Sequence, residues 1–214
     1  MSERGSYVVV EGSDGSGKST QLELLRRKLD ELEVDTVFTR EPGGDHQLGI
    51  EVRRILLSPS VNMESNLTEI ALFTADRCES WTKVIEPALE ANKLVISDRN
   101  WFSTLAYQAA SDPAVEEKIV AVTSALLPPR YVNPDLALVL TLSEEERNRR
   151  REAREKGNIA DSFESRDSEF FRNVDKIYNR IPRQLGAKAI QAKGSPDQVF
   201  SQVWPHVEAL LPAV

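Results

Sequence analysis

Residues 8 to 21 read VVVEGSDGSGKSTQ, and this stretch constrains the chain more than any other. Gly12, Gly17, Lys18 and Ser19 satisfy the spacing G-x-x-x-x-G-K-[ST]. An apolar β-run, Tyr7 to Val10, precedes the motif, and a helical pattern from Gln21 to Leu32 follows it. That context predicts a strand, a tight loop and a helix. Glycines let successive backbone N–H groups converge on phosphate oxygens, and the helix N-terminus adds partial positive charge. Lys18 can reach the β- and γ-phosphates of a nucleotide, and Ser19 can ligate Mg²⁺. Asp14 is the anomaly, because a carboxylate in the middle of such a loop repels the ligand the loop is built to hold.

The rest of the chain alternates short apolar runs with amphipathic segments. Strands are predicted at Tyr7–Glu11, Asp35–Thr39, Leu94–Ser97, Ala137–Leu142 and Lys188–Ala192. Helices are predicted to begin near Ser19, Gln47, Leu67, Ser103, Ala114, Ser143, Ser165 and Pro196. Strands alternating with helices imply an α/β fold with a parallel sheet covered on both faces. At 214 residues, with no repeat or shift of composition, the chain is expected to form one domain over residues 1–214. EPGGD (Glu41–Asp45) and LLPPRYVNPD (Leu126–Asp135) are expected to be loops.

The net charge of −7 argues against a nucleic-acid binder. No apolar run approaches the ~18 residues of a membrane span. A single cysteine rules out an intrachain disulfide and is compatible with a reducing cytoplasm. Two histidines and one cysteine are too few for a convincing zinc site.

A second sign of phosphate chemistry is KLVISDRNW, Lys93 to Trp101, an apolar strand ending in Asp98–Arg99. A carboxylate at the carboxyl end of a parallel strand can hold Mg²⁺ directly or through water. The adjoining guanidinium offers a fork for a phosphate. Beside a complete phosphate loop, this reading outweighs a plain Asp–Arg pair closing the strand. Arg40 and Glu41 end another strand at the same sheet edge, where open α/β sheets bind ligands; a plain connecting loop reads equally well.

The helix over Leu67–Leu89 is read with a core stripe at Leu67, Ile70, Ala71, Thr74, Cys78, Trp81 and Ile85. Phe73 and Arg77, four apart and off that stripe, read from spacing alone as a local cation–π pair. Thr104, Tyr107 and Gln108 form a polar helix face just after Arg99, either reading sugar or base groups or facing solvent. Trp101 and Phe102 are expected in the core. Arg147 to Ser162 is arginine-dense with a Gly–Asn break. Taken alone it is a solvated helix face with i,i+4 pairs to Glu144–Glu146 and Glu152.

VEGSDGSGKSTQ, TREPGG, LFTADR, SDRNWFSTLAYQ and the arginine-rich segment before FFRNV occur in this order. On these motifs the chain resembles the thymidylate kinase family, of the bacterial kind, over essentially its whole length. The resemblance implies a P-loop kinase fold, with a five-stranded parallel sheet and a short lid at about residues 147–162. It implies transfer of phosphate from MgATP to dTMP, giving dTDP, by a homodimer. Gly12, Ser13, Asp14, Gly15, Ser16, Gly17, Lys18, Ser19 and Thr20 then form the ATP-binding loop. Ser19 and Asp98 attend Mg²⁺.

The resemblance also answers the question of Asp14, which matches the residue that binds the 3′-hydroxyl of the acceptor. Phe73 matches the ring that stacks on thymine, Arg77 a contact to its carbonyl, and Arg99 the clamp on the dTMP phosphate. Thr104 matches a position that reaches the base. Tyr107 matches the ring that crowds the sugar 2′ position. Arg40, Glu41 and Gln108 complete the expected acceptor site. Because Gly15 stands where one type of the family has a basic residue, the resemblance is to the type with lid arginines. Arg149 is assigned to adenine stacking, and Arg154, with Lys18 and Arg99, to catalysis. Asn100, Ser162 and Lys156 depart from common family residues. The competing readings are a kinase for another nucleotide or nucleoside, and a nucleotide-dependent switch without phosphotransfer.

Overall fold

The computed structural model describes residues 4–44, 46–61, 63–143, 145–146, 149 and 168–211. The first half runs β1 (Tyr7–Gly12), α1 (Lys18–Glu31), β2 (Thr36–Arg40), α2 (Gln47–Leu57) and α3 (Asn66–Ser80). A π-helical turn (Trp81–Ile85) joins α3 to α4 (Glu86–Glu90), and β3 (Leu94–Asp98) and α5 (Trp101–Ser111) follow. After a 3₁₀ turn (Pro113–Val115) come α6 (Glu116–Leu126), α7 (Pro129–Val132) and β4 (Leu136–Thr141). The described chain closes with α8 (Ser168–Leu185), β5 (Lys188–Gln191) and α9 (Pro196–Glu208).

The five strands form one parallel sheet in the order β2-β3-β1-β4-β5, so the strand feeding the phosphate loop is central. Both faces of the three central strands β3, β1 and β4 are buried, as a parallel sheet requires, while the edge strands β2 and β5 are only partly covered. Tyr7 and Val9 face a core shared with α3, α5 and α8. Val8 and Val10 face the other core, with Leu25 and Leu29 of α1 and Val199 and Val203 of α9. The pleat thus sends alternate residues of one strand into two separate cores. Register places the functional ends together: Arg40 pairs with Asp98, and Asp98 with Val10, at one edge of the sheet.

Two expectations need correction. The stretch Leu126–Asp135 is not all loop, because Pro129 starts the single helical turn α7, with Pro128 extended before it. This is the first-turn position that proline favours. The stripe predicted for α3 is rotated. Leu67 and Ala71 are exposed and Cys78 is only half-buried, whereas Phe73 and Arg77 are buried with Ile70 and Thr74. Apolar periodicity misplaced the face because α3 buries Glu69, Asp76 and Arg77, all charged, against partners from other elements. Trp101 and Phe102 are in the core as expected. Among the described residues, no helix is long and apolar enough to cross a membrane.

Candidate active site

The loop after β1 turns at Gly12, whose φ of 149° is outside the comfortable range of other residues. A Cβ there would also lie 2.8 Å from the Leu140 carbonyl oxygen. Gly17, with φ 90°, opens α1 without a capping side chain, which leaves the first backbone N–H groups of the helix for a ligand. Beside this loop lies an open cavity of about 310 Å³ at the carboxyl edge of the sheet. Asp14, Lys18 and Ser19 line it from the loop, Asp98 and Arg99 from the end of β3, and Arg40 and Glu41 from the end of β2. Phe73, Tyr107 and Gln108 close it from α3 and α5.

Inside the cavity the charged groups hold one another. Lys18 Nζ donates to Asp98 Oδ1 at 2.5 Å. Burial pushes the Lys18 ammonium pKa down, nearby Arg99 adds to this, and Asp98 works against it. Arg99 donates to Asp14 Oδ1 at 2.7 Å, and the Tyr107 hydroxyl donates to Asp14 Oδ2 at 2.9 Å. Burial opposes the charge of Arg99, yet Tyr107, Tyr178, Asp14 and Glu11 together hold its pKa well above the ordinary value.

Arg99 occupies a left-handed backbone conformation, φ 78°, which costs a non-glycine residue of order 1 kcal/mol or more. Its surroundings over-determine it. Its N–H extends the ladder to Val10, and the Ser97 hydroxyl donates to its carbonyl at 2.7 Å. Beneath it, fully buried Glu11 accepts from the Asn100 and Ser103 backbone N–H groups and from the Ser103 and Tyr178 hydroxyls. Glu11 thereby satisfies the first turn of α5 from a different strand. Asn100, one of the departures from the family pattern, supplies the helix cap itself, its Oδ1 accepting from Phe102 N–H at 2.9 Å.

Arg77 and Thr104 stand one layer behind the cavity wall. Arg77 donates to Glu41 at 3.0 Å, to the Thr104 hydroxyl at 2.7 Å and to the Asn100 carbonyl at 2.8 Å. Its guanidinium lies 5.3 Å from the centre of the Phe73 ring, so the cation–π pair read from spacing is present. Glu41 is fully enclosed with Arg77 and the Tyr131 hydroxyl, which donates to it. Burial raises its pKa to about 7, against the opposing pull of Arg77 and Tyr131.

Several contributors escaped sequence reasoning. Arg53 of α2 lines the cavity and donates to the Pro42 carbonyl at 2.8 Å. Leu57, Pro42 and Ser103 line it too. Tyr178 of α8 reaches Arg99 at 3.1 Å from far along the chain. Only the hydroxyl at a core position of an otherwise apolar helix face could have marked it. Arg149 is exposed and bonded to Glu146 at 2.8 and 2.9 Å, a surface pair at i,i+3 rather than the expected i,i+4. Arg154, Lys156, Ser162 and most of the expected lid at residues 147–162 lie outside the described residues.

A hydroxyl and a carboxylate, Ser19 and Asp98, together on the cavity wall are hard oxygen donors of the kind Mg²⁺ takes alongside water and phosphate. Lys18 and Arg99 are two cationic groups on the same cavity wall that an anionic ligand can meet.

Residues 10–203 match the family model described as thymidylate kinase. A thymidylate kinase of Symbiobacterium thermophilum is 37% identical over 214 residues, covering 96% of this chain and 94% of that protein. One from Caldicellulosiruptor saccharolyticus is 34% identical, covering 97% and 98%. The crystal structure of thymidylate kinase from Ehrlichia chaffeensis superposes with a TM-score of 0.74 at 27% identity, covering 96% of this chain and 99% of that one.

Proposed function

We propose a division of labour for this site from the premise that the chain belongs to the thymidylate kinase family and phosphorylates dTMP to dTDP with ATP as donor. The observation that carries the proposal is the cavity in which Lys18 and Ser19 of the loop face Asp98, Arg99 and Asp14. In it, Lys18 and the loop N–H groups bind the donor phosphates. Arg99 binds the phosphate of dTMP. Asp14 accepts the 3′-hydroxyl, and Tyr107 crowds the 2′ position. Phe73 stacks on the base, with Arg77 and Thr104 behind it, while Arg40, Glu41 and Gln108 complete the acceptor side.

The residues fit Mg²⁺, with Ser19 and Asp98 as its attendants; when bound, the ion neutralises charge on the phosphates. The protein's own task is alignment and charge. The acceptor is already an anionic phosphate oxygen, so no general base is needed. Holding both nucleotides in line converts a bimolecular transfer into a step within one complex. Each ligand replaces an internal partner: donor phosphates take Lys18 from Asp98, and dTMP takes Asp14 and Arg99 from one another. Arg154 is assigned the lid contact to the transferring phosphate, and Arg149 the adenine.

A homodimer fits the apolar side chains left exposed on the adjacent helices α3 and α6: Leu67 at 48%, Val120 at 43% and Leu126 at 62%. A reducing cytoplasm suits the free thiol of Cys78. The deciding experiment measures ADP release with MgATP and each of dTMP, dUMP, ribo-TMP, dGMP, dCMP and AMP. Strong turnover with dTMP, lost in Asp14→Ala and Arg99→Ala, supports the assignment. Preference for another acceptor overturns the base pocket, and ATP binding without turnover brings forward the switch reading.

A further inference from the structure

The acceptor-side wall of the cavity is built from the turn after β2 and from α2, and both meet at His46. Its Nδ1 accepts the Gly49 N–H at 3.0 Å, making the imidazole the N-cap of α2. A nitrogen that accepts carries no proton, so the ring proton sits on Nε2. That atom stands 3.5 Å from Asp76 Oδ1, an electrostatic contact without a hydrogen bond, and both side chains are almost wholly enclosed, 6% and 0% exposed. Asp76 in turn accepts the Gly43 N–H on both oxygens at 3.3 Å. One ring therefore touches the first turn of α2, and through Asp76 of α3 it reaches the turn that presents Glu41 and Pro42.

Gly49 shows how closely this is built. A Cβ there would meet Asp76 Oδ1 and two atoms of the His46 ring, each at 2.8 Å. The helix gives up a better helix former at this position so that ring and carboxylate can approach its backbone. What hangs from the junction is functional wall. Arg53, further along α2, lines the cavity and bonds back to the Pro42 carbonyl, closing a ring of contacts between helix and turn.

We infer that His46 is a positioning residue for acceptor binding: by capping α2 and backing Asp76, it holds Arg53, Glu41 and Pro42 at the spacing the acceptor nucleotide requires. This rests on the reading of the cavity wall as the dTMP site. The phosphate loop makes none of these contacts, so donor binding is independent of the junction.

The test is calorimetric titration of the whole protein with dTMP alone and, separately, with MgATP, comparing wild type with His46→Ala, His46→Asn and Gly49→Ala. Asparagine keeps a cap acceptor and serves as the conservative variant. Loss of a cap coupled to the wall weakens dTMP binding by roughly five- to thirtyfold in His46→Ala. MgATP binding stays within about twofold, because none of the junction's own hydrogen bonds is made to Lys18, Ser19 or the loop glycines. His46→Asn recovers most of the dTMP affinity, and Gly49→Ala, which keeps the imidazole but displaces it, weakens dTMP as His46→Ala does. Unchanged dTMP binding in folded His46→Ala or Gly49→Ala overturns the inference, as does a parallel loss for MgATP. Failure of wild type itself to bind dTMP overturns instead the reading of the pocket. If His46→Ala does not fold, the Asn and Gly49 variants decide alone.

Discussion

Arg99 and Asp14 are bonded to each other at 2.7 Å across the mouth of the phosphate loop. The two side chains assigned to opposite ends of the acceptor, phosphate and sugar, therefore satisfy one another in the free protein. Neither half-buried charge is left alone, which avoids the penalty of an unpaired ion in a partly desolvated site. Replacing Arg99 by alanine removes the clamp and the cation that Asp14 and Glu11 face, leaving each carboxylate only its neutral hydrogen-bond donors. Steady-state assays should show kcat/KM for dTMP reduced by about 10²-fold or more. Asp14→Asn, which keeps the shape, should lose less than Asp14→Ala; equal losses would argue against a hydrogen bond to the sugar.

Lys18 and Asp98 form the second internal pair. Lys18→Met should abolish measurable turnover while leaving the sheet intact, since the substitution removes charge and little volume. Circular dichroism would report the fold and ADP release the activity. Residual activity above about a hundredth of wild type would contradict a direct role on the donor phosphates.

The buried Glu41 carboxyl, raised to about 7, ties stability to pH. A carboxyl with a raised folded pKa binds its proton more tightly in the native state than in the unfolded chain. Its contribution is therefore fully present below its ordinary value of 4.5 and is lost as pH rises through about 7. Thermal melts of wild type and Glu41→Gln across this window should show the wild-type Tm falling relative to the variant as pH increases. Parallel curves would mean that Glu41 is ionised in both states.

Tyr107 packs against the site through its ring and donates its hydroxyl to Asp14. Tyr107→Phe should keep most discrimination against ribo-TMP, because the ring remains. Tyr107→Leu should erode it. The ratio of kcat/KM values for the two acceptors is the measurement, and a larger loss in the phenylalanine variant would shift selection from the ring to the hydroxyl.

Leu126 on α6 is 62% exposed beside α3. If a second copy covers this face, Leu126→Glu should convert a dimer to monomer in light scattering coupled to gel filtration. A monomeric wild type would remove the proposed assembly.

Much of this was readable from the residues. The phosphate loop, the strands and the Asp98–Arg99 pair announce themselves because local chemistry dictates them: glycines where φ must be positive, apolar runs where both sheet faces are covered. Alternation of Tyr7 to Val10 between two cores needs no tertiary knowledge beyond a parallel sheet. The face of α3 was misread for the opposite reason. Asp76 and Arg77 are buried only because Gly43, Glu41 and Thr104 come to meet them from distant parts of the chain. Charge burial of this kind is a pairwise property, and one helix carries only half of each pair. Arg53, His46 and Tyr178 went unmarked for the same reason.

On the proposed reading, Lys18 and Asp14 address two different nucleotides from one short loop, four residues apart and anchored on the central strand. Thermal displacement of that loop as a body carries donor and acceptor together. The gap the phosphoryl group crosses is then set by chain connectivity, and fluctuations common to both reactants cancel from it.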